Sequence, residues 1–90
     1  MPRYYFHLTT GGETLNDDEG SDLIDVEAAR EEGLKAAREI LSLSLVASGQ
    51  LDLTQQIDIA DEAGRTLLVI PFRSAVSEEV PVDRVSLRLS

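Results

Sequence analysis

The chain has no cysteine. That excludes disulfides and thiolate metal sites together, and it suits a reducing compartment. It has a single histidine, His7, so no second imidazole can complete a zinc site of the His/Cys type. Long apolar runs are also absent. The longest is Leu67–Ile70, against the ~20 residues a membrane-spanning helix needs. The opening stretch MPRYYFHLTTGGE lacks the apolar segment of a secretory signal. Positive charge is scarce: 8 Lys and Arg stand against 17 Asp and Glu, for a net charge of −9. A chain this acidic is repelled by nucleic-acid phosphates and by anionic membrane surfaces. The expectation is a cytoplasmic protein with neither nucleic acid nor membrane as partner. The same charge keeps it soluble and attracts a basic protein, a cation or a polyamine.

Several catalytic signatures are missing too. No G-x-S-x-G nucleophile elbow is present. Gly11-Gly12 fits neither the P-loop nor the G-x-G-x-x-G spacing, so no phosphate cradle is expected. Tyr4, Tyr5 and Phe6 have no basic surround, which favours packing over base stacking. No internal repeat and no low-complexity linker divides the chain.

What is present fits one domain spanning residues 1–90. A 90-residue chain buries only about 60% of its unfolded surface, room for one helix on one sheet. In RYYFHLT, Tyr4, Phe6 and Leu8 share one strand face and Tyr5, His7 and Thr9 the other. Gly11-Gly12 turns the chain, and Glu13–Leu15 returns as a short second strand. From Val26 to about Ser48, the positions Val26, Ala29, Gly33, Ala36, Ala37, Ile40 and Ala47 recur at helical spacing. Glu27, Arg30, Glu31, Lys35, Arg38 and Glu39 line the opposite face. Asp25 is the expected N-cap and Gly49 the expected left-handed C-terminal stop. Gly33, unfavourable inside a helix by ~1 kcal/mol relative to alanine, marks a close approach of the helix backbone to the sheet. LSLSLVAS, residues 41–48, also alternates with strand period, but its continuity with the preceding pattern assigns it to the helix.

QIDIADEAGRTLLVIPF, residues 56–72, reads as a hairpin turning at Asp61–Gly64. Its register stays open: Ile59 and Ile57 face either Leu67 and Val69, or Leu68 and Ile70. Leu67–Phe72 is apolar on both faces, which suggests an interior strand, and Pro71 implies an irregular end or an edge. Residues 74–80 form a helical turn or a loop. VDRVSLRLS, residues 82–90, alternates Val85, Leu87 and Leu89 with polar residues, a strand pattern able to complete the sheet or to pair with a second copy. The fold class is α+β: a small antiparallel sheet, ββαββ with a possible further C-terminal strand, and one long helix on one face.

The most polar stretch is LNDDEGSDLID, residues 15–25. Placing Gly20 at position 6 of an EF-hand loop puts Leu15 at position 1 and Val26 at position 12; neither can ligate calcium, so the pattern fails. Asp17, Glu19 and Asp22 are the weak candidates for a looser divalent site. The plainer account is a turn leading into a helix start, its charge left in water. His7 is the one candidate general base; a strand residue on the second sheet face is the simpler account.

PRYYFHL, the GGE turn, DDEG, DxEAAR at the helix start and DEAGRTLLVIPFR form an ordered series. The chain resembles a family of short uncharacterised bacterial proteins known as a domain of unknown function, whose members begin M-P-R-Y-[FY]-F-H. The likeness spans residues 2–76 and leaves 77–90 as an extension. It implies a fold label and no activity. A strand, a glycine hairpin and D-x-E-A-A-R opening a helix also resemble the acidic antitoxins of HicA/HicB-type pairs, although the proline and glycine-cysteine features usual there before the helix are missing. The leading functional expectation is a non-enzymatic interaction protein without cofactor that forms a homodimer, with Tyr5, His7, Val85 and Leu87 as weak candidate contact residues. The alternatives are an antitoxin-like module that neutralises a basic protein and a small metal-assisted hydrolase using His7 and the acidic loop.

Overall fold

The computed structural model describes residues 1–76. Seven elements follow one another: β1 (Arg3–Thr10), β2 (Glu13–Leu15), β3 (Ser21–Asp22), α1 (Val26–Ser48), β4 (Gln56–Ala60), β5 (Thr66–Pro71) and α2 (Phe72–Val76). The strands form one antiparallel sheet in the order β2-β1-β4-β5, with β3 pairing the start of β1. This is the expected α+β architecture, with two short elements added. β3 is only two residues long, and α2 begins at Phe72, earlier than the helical turn expected over 74–80. The strand pattern of 82–90, with Val85 and Leu87, lies outside the described residues.

Alternation decides which sheet face is dry. Phe6 stands opposite Ile59 and Leu8 opposite Ile57 across β1 and β4. Ile57 then faces Ile70 and Ile59 faces Leu68 across β4 and β5. The register therefore takes the second of the two expected forms, with an irregularity between Ile59 and Ala60 that sets Leu67 out of the pairing. Tyr4, Ile57, Ile59, Ile70 and Phe72 form one core with Ala29, Leu34, Ala37 and Leu41 of α1. Ile59 and Phe72 are fully enclosed, and side chains of that kind each contribute about 1.5–3 kcal/mol.

The helix ends form as their chemistry requires. Asp25 Oδ1 accepts the N–H of Ala28 at 2.9 Å, and Gly49 sits at φ 75°, its N–H donated to the Leu45 carbonyl. Gly33 lies against the sheet: a Cβ there would stand 2.7 Å from Ile70 Cδ1 and 3.1 Å from Ile59 Cδ1. The buried face differs from the expected stripe. Val26 and Ala47 are exposed, whereas Leu34 and Leu41 are buried. The buried series Ala29, Gly33, Ala37, Leu41 advances by about 40° at each four-residue step, so the contact face rotates along α1 as it crosses the sheet. Burial ends at Leu41; among the described residues, no side chain of the last two turns is fully buried.

A second correction concerns β5. Its apolar residues suggested an interior strand, yet among the described residues β5 is the outermost strand of the order, and Leu67 and Val69 are 41% and 50% exposed. Pro71 closes it at that edge, where a missing N–H costs no ladder bond. The chain turns straight into α2, anchored by the Phe72 N–H donated to the Gln55 carbonyl at 2.9 Å. Gln55, a buried polar side chain, donates in turn to the Asp52 carbonyl at 3.1 Å.

Candidate functional site

The face of the sheet away from α1 gathers Tyr5, His7 and Thr9 from β1 with Asp58 from β4, opposite His7, and Val69 from β5, opposite Asp58. Tyr5 and His7 stack with ring centroids 6.5 Å apart and planes 11° from parallel. Asp58 is the polar centre: Thr9 Oγ1 donates to its Oδ2 at 3.1 Å and Gln56 Nε2 to its Oδ1 at 2.8 Å. The Thr9 and Thr14 hydroxyls meet at 3.4 Å. The surface thus combines aromatic, hydroxyl and aliphatic groups around a carboxylate already supplied with two donors.

The acidic loop borders this face, and its first task is structural. β2 pairs with Leu8–Thr10 and β3 with Arg3 and Tyr4, which leaves the middle of β1 without a strand partner on that side. Asp17 fills the gap. Its Oδ2 accepts the Phe6 N–H at 3.1 Å, and its Oδ1 accepts the N–H groups of Glu19 and Gly20, both at 3.1 Å. Its own N–H is donated to His7 Nδ1 at 3.1 Å. Burial pushes the Asp17 carboxyl up. The N–H groups of Gly20, Phe6 and Glu19 outweigh it, with His7 adding to them, and hold it below the ordinary carboxylate range.

The three acidic candidates are not brought together. Asp17 turns inward onto β1, and Asp22 pairs with Arg3, Nε to Oδ1 at 3.0 Å. At Glu19 the backbone carbonyl is what accepts from Arg3, at 2.6 Å. Among the described residues, no group of three or more His, Asp or Glu side chains is placed to hold a metal ion. Gly20 makes the packing possible: it sits at φ 73°, and a Cβ there would stand 2.8 Å from Arg3 Cγ and 2.9 Å from Tyr5 Cε2. Tyr5 and His7 do come together as neighbours on one face; Val85 and Leu87 lie outside the described residues.

Two features escaped the sequence pattern. A cleft of about 290 Å3 between α1 and α2 is lined by Arg30, Glu31, Leu34, Arg38 and Ser74, and Arg38 Nε donates to the Ala75 carbonyl at 3.5 Å. No motif announces it, because it depends on where α2 lands. The end of α1 also carries exposed apolar side chains, Leu43 at 69% and Val46 at 85%. The signal for these was available: no charged residue occurs between Glu39 and Asp52.

The family model described as "Domain of unknown function (DUF6894)" matches residues 3–73. The chain belongs to this family. The match runs from the first residue of β1 to the start of α2, so both the acidic loop and the sheet face away from α1 belong to the DUF6894 unit. No curated protein and no solved structure matches. Among the described residues, no helix is long and apolar enough to cross a membrane.

Proposed function

We propose that this DUF6894 chain is a small non-enzymatic interaction protein of the bacterial cytoplasm that associates with itself. The observation that carries this is exposed aliphatic surface on a small, acidic domain. Leu43 and Val46 at the end of α1, and Leu67 and Val69 on β5, are 41–85% exposed; exposed apolar surface, where contiguous, marks interaction sites. Among the described residues, one helix covers one sheet face and no element covers the face of Tyr5, His7 and Val69, which suits a partner there. Some of the polar groups there already hold partners: His7 Nδ1 accepts the Asp17 N–H, and both Asp58 oxygens accept donors. Such an arrangement suits a fixed surface better than proton transfer.

Co-expression of tagged and untagged full-length chains tests the proposal. Recovery of the untagged copy with the tagged one is the expected result; its absence at high expression contradicts self-association.

A second reading, an antitoxin-like module neutralising a basic protein, draws on the net charge of −9 and on the exposed Asp18, Glu19 and Asp22. Its complex would be charge-steered and sensitive to salt. A basic protein captured at low salt and lost at moderate salt favours this reading; a capture indifferent to salt contradicts it.

A further inference from the structure

Among the described residues, the last two turns of α1 carry an apolar pattern whose side chains stay exposed. Ala29, Gly33, Ala36, Ile40, Leu43 and Ala47 recur in alternating four- and three-residue steps, the spacing of a coiled-coil seam. The first half of this seam is spent inside the domain: Ala29 and Gly33 are buried against the sheet, and Ala36 and Ile40 pack at the core margin. The second half is not. Leu43 and Ala47 are exposed, with Val46 beside them on the flank.

Charge identifies the occupant. The rest of α1 is densely charged, with Glu27, Arg30, Glu31, Glu32, Lys35, Arg38 and Glu39, and then the chain carries no charge until Asp52. In a coiled coil, the positions flanking the seam choose partners by charge. Around Leu43 and Ala47 those flanks are Ser44 and Val46, which offer no charge to a partner, and Glu39 flanks Ile40 at the charged end. Two copies of a chain of charge −9 repel each other over most of their surfaces. At this uncharged patch they can approach without setting like charges face to face.

We infer that α1 of one copy crosses α1 of a second copy antiparallel at Leu43, burying Ile40, Leu43, Val46 and Ala47 in an isologous dimer contact. The inference rests on the self-association proposed above and names its surface. Antiparallel crossing follows from electrostatics. It sends the two charged N-terminal halves, each with its sheet, toward opposite ends, whereas parallel pairing would set Glu39 beside Glu39. A two-fold axis near Leu43 makes that residue meet its own mate.

The test uses the full chain and its solution mass by light scattering. The wild type should show twice the 9.8 kDa chain mass, and Leu43→Glu should show one chain mass with an unchanged helical spectrum. Ala63→Glu, which adds the same charge in the β4–β5 turn, should stay dimeric. Leu43→Lys alone should also be monomeric, and an equimolar mixture of Leu43→Glu with Leu43→Lys should regain the dimer mass, because opposite charges then meet at the axis. A Leu43→Glu chain that remains dimeric overturns the inference and leaves self-association to another face. A mixture that stays monomeric overturns the meeting of Leu43 with its own mate, and with it the crossing at Leu43. A monomeric wild type overturns both the inference and the reading beneath it.

Discussion

Asp17 and Phe6 are joined by a hydrogen bond of 3.1 Å in which the carboxylate accepts the strand's backbone N–H. The side chain takes the place of a strand partner at the point where β2 has ended and β3 has not begun. Two further N–H groups, of Glu19 and Gly20, converge on the same carboxylate. Replacing Asp17 with Ala strips all three of their acceptor. A lost partner at a buried donor costs about 1–3 kcal/mol; water reaches much of this loop, so the expected loss lies near the lower end. Asp17→Asn keeps one acceptor oxygen and should fall between. Urea denaturation of the three chains measures the order.

The same clamp sets a pH dependence. Asp17 is depressed in the folded state, so its contribution is present above the unfolded value of 3.8 and is lost as pH falls through the lower folded value. Asp61 acts in the same direction. The Arg65 N–H lowers it most; burial opposes; the Arg65 guanidinium and the Ala63 N–H add to the lowering. Thermal melts on acidification should show stability falling most steeply below the ordinary carboxylate range. The wild-type curve should fall further than that of Asp17→Asn, which has no charge to lose there.

Two glycines with positive φ separate backbone strain from steric clash. Gly49, at φ 75°, faces open space, so Gly49→Ala should cost only the left-handed penalty of about 1–2 kcal/mol. Gly20→Ala carries that penalty and also drives a methyl into Arg3 and Tyr5. It should destabilise more and shift the amide resonances of Tyr5 and His7 in a heteronuclear NMR spectrum. Equal losses at the two sites would contradict the close packing of Gly20.

Gly33 offers a graded test of the helix–sheet contact. In Gly33→Ala the new methyl meets the δ-methyl ends of Ile70 and Ile59. Those ends can turn aside, and the helix gains ~1 kcal/mol in propensity, so the variant should lie within about 1 kcal/mol of wild type. Gly33→Val has no such latitude, and overpacking of this kind costs about 1–3 kcal/mol. A stabilised Gly33→Val would mean that α1 stands further from the sheet.

The legible parts of the fold were those set by local chemistry. Asp25, Gly49 and the Val26–Ser48 span follow from capping and periodicity, and Gly33 announced the close approach because a glycine on an apolar stripe needs a reason. The hairpin register was open because Leu67–Ile70 offers apolar side chains to both faces; the irregularity at Ile59 and Ala60 settled it, and no residue type signals that. β5 read as interior for the same cause. The acidic loop looked like a site because of its composition, while its role depends on a gap in strand pairing opposite Phe6. The exposed end of α1 was written in the uncharged run after Glu39, but seeing it as a surface required knowing that burial stops at Leu41.

The most direct measurement of the central claim is sedimentation equilibrium of the full chain, from micromolar to near-millimolar concentration, at low and at high salt. The account predicts a monomer–dimer equilibrium between one and two 9.8 kDa chains, tighter at high salt because screening relieves repulsion between the acidic bodies while the apolar contact is untouched. A single chain mass at every concentration and salt would contradict it.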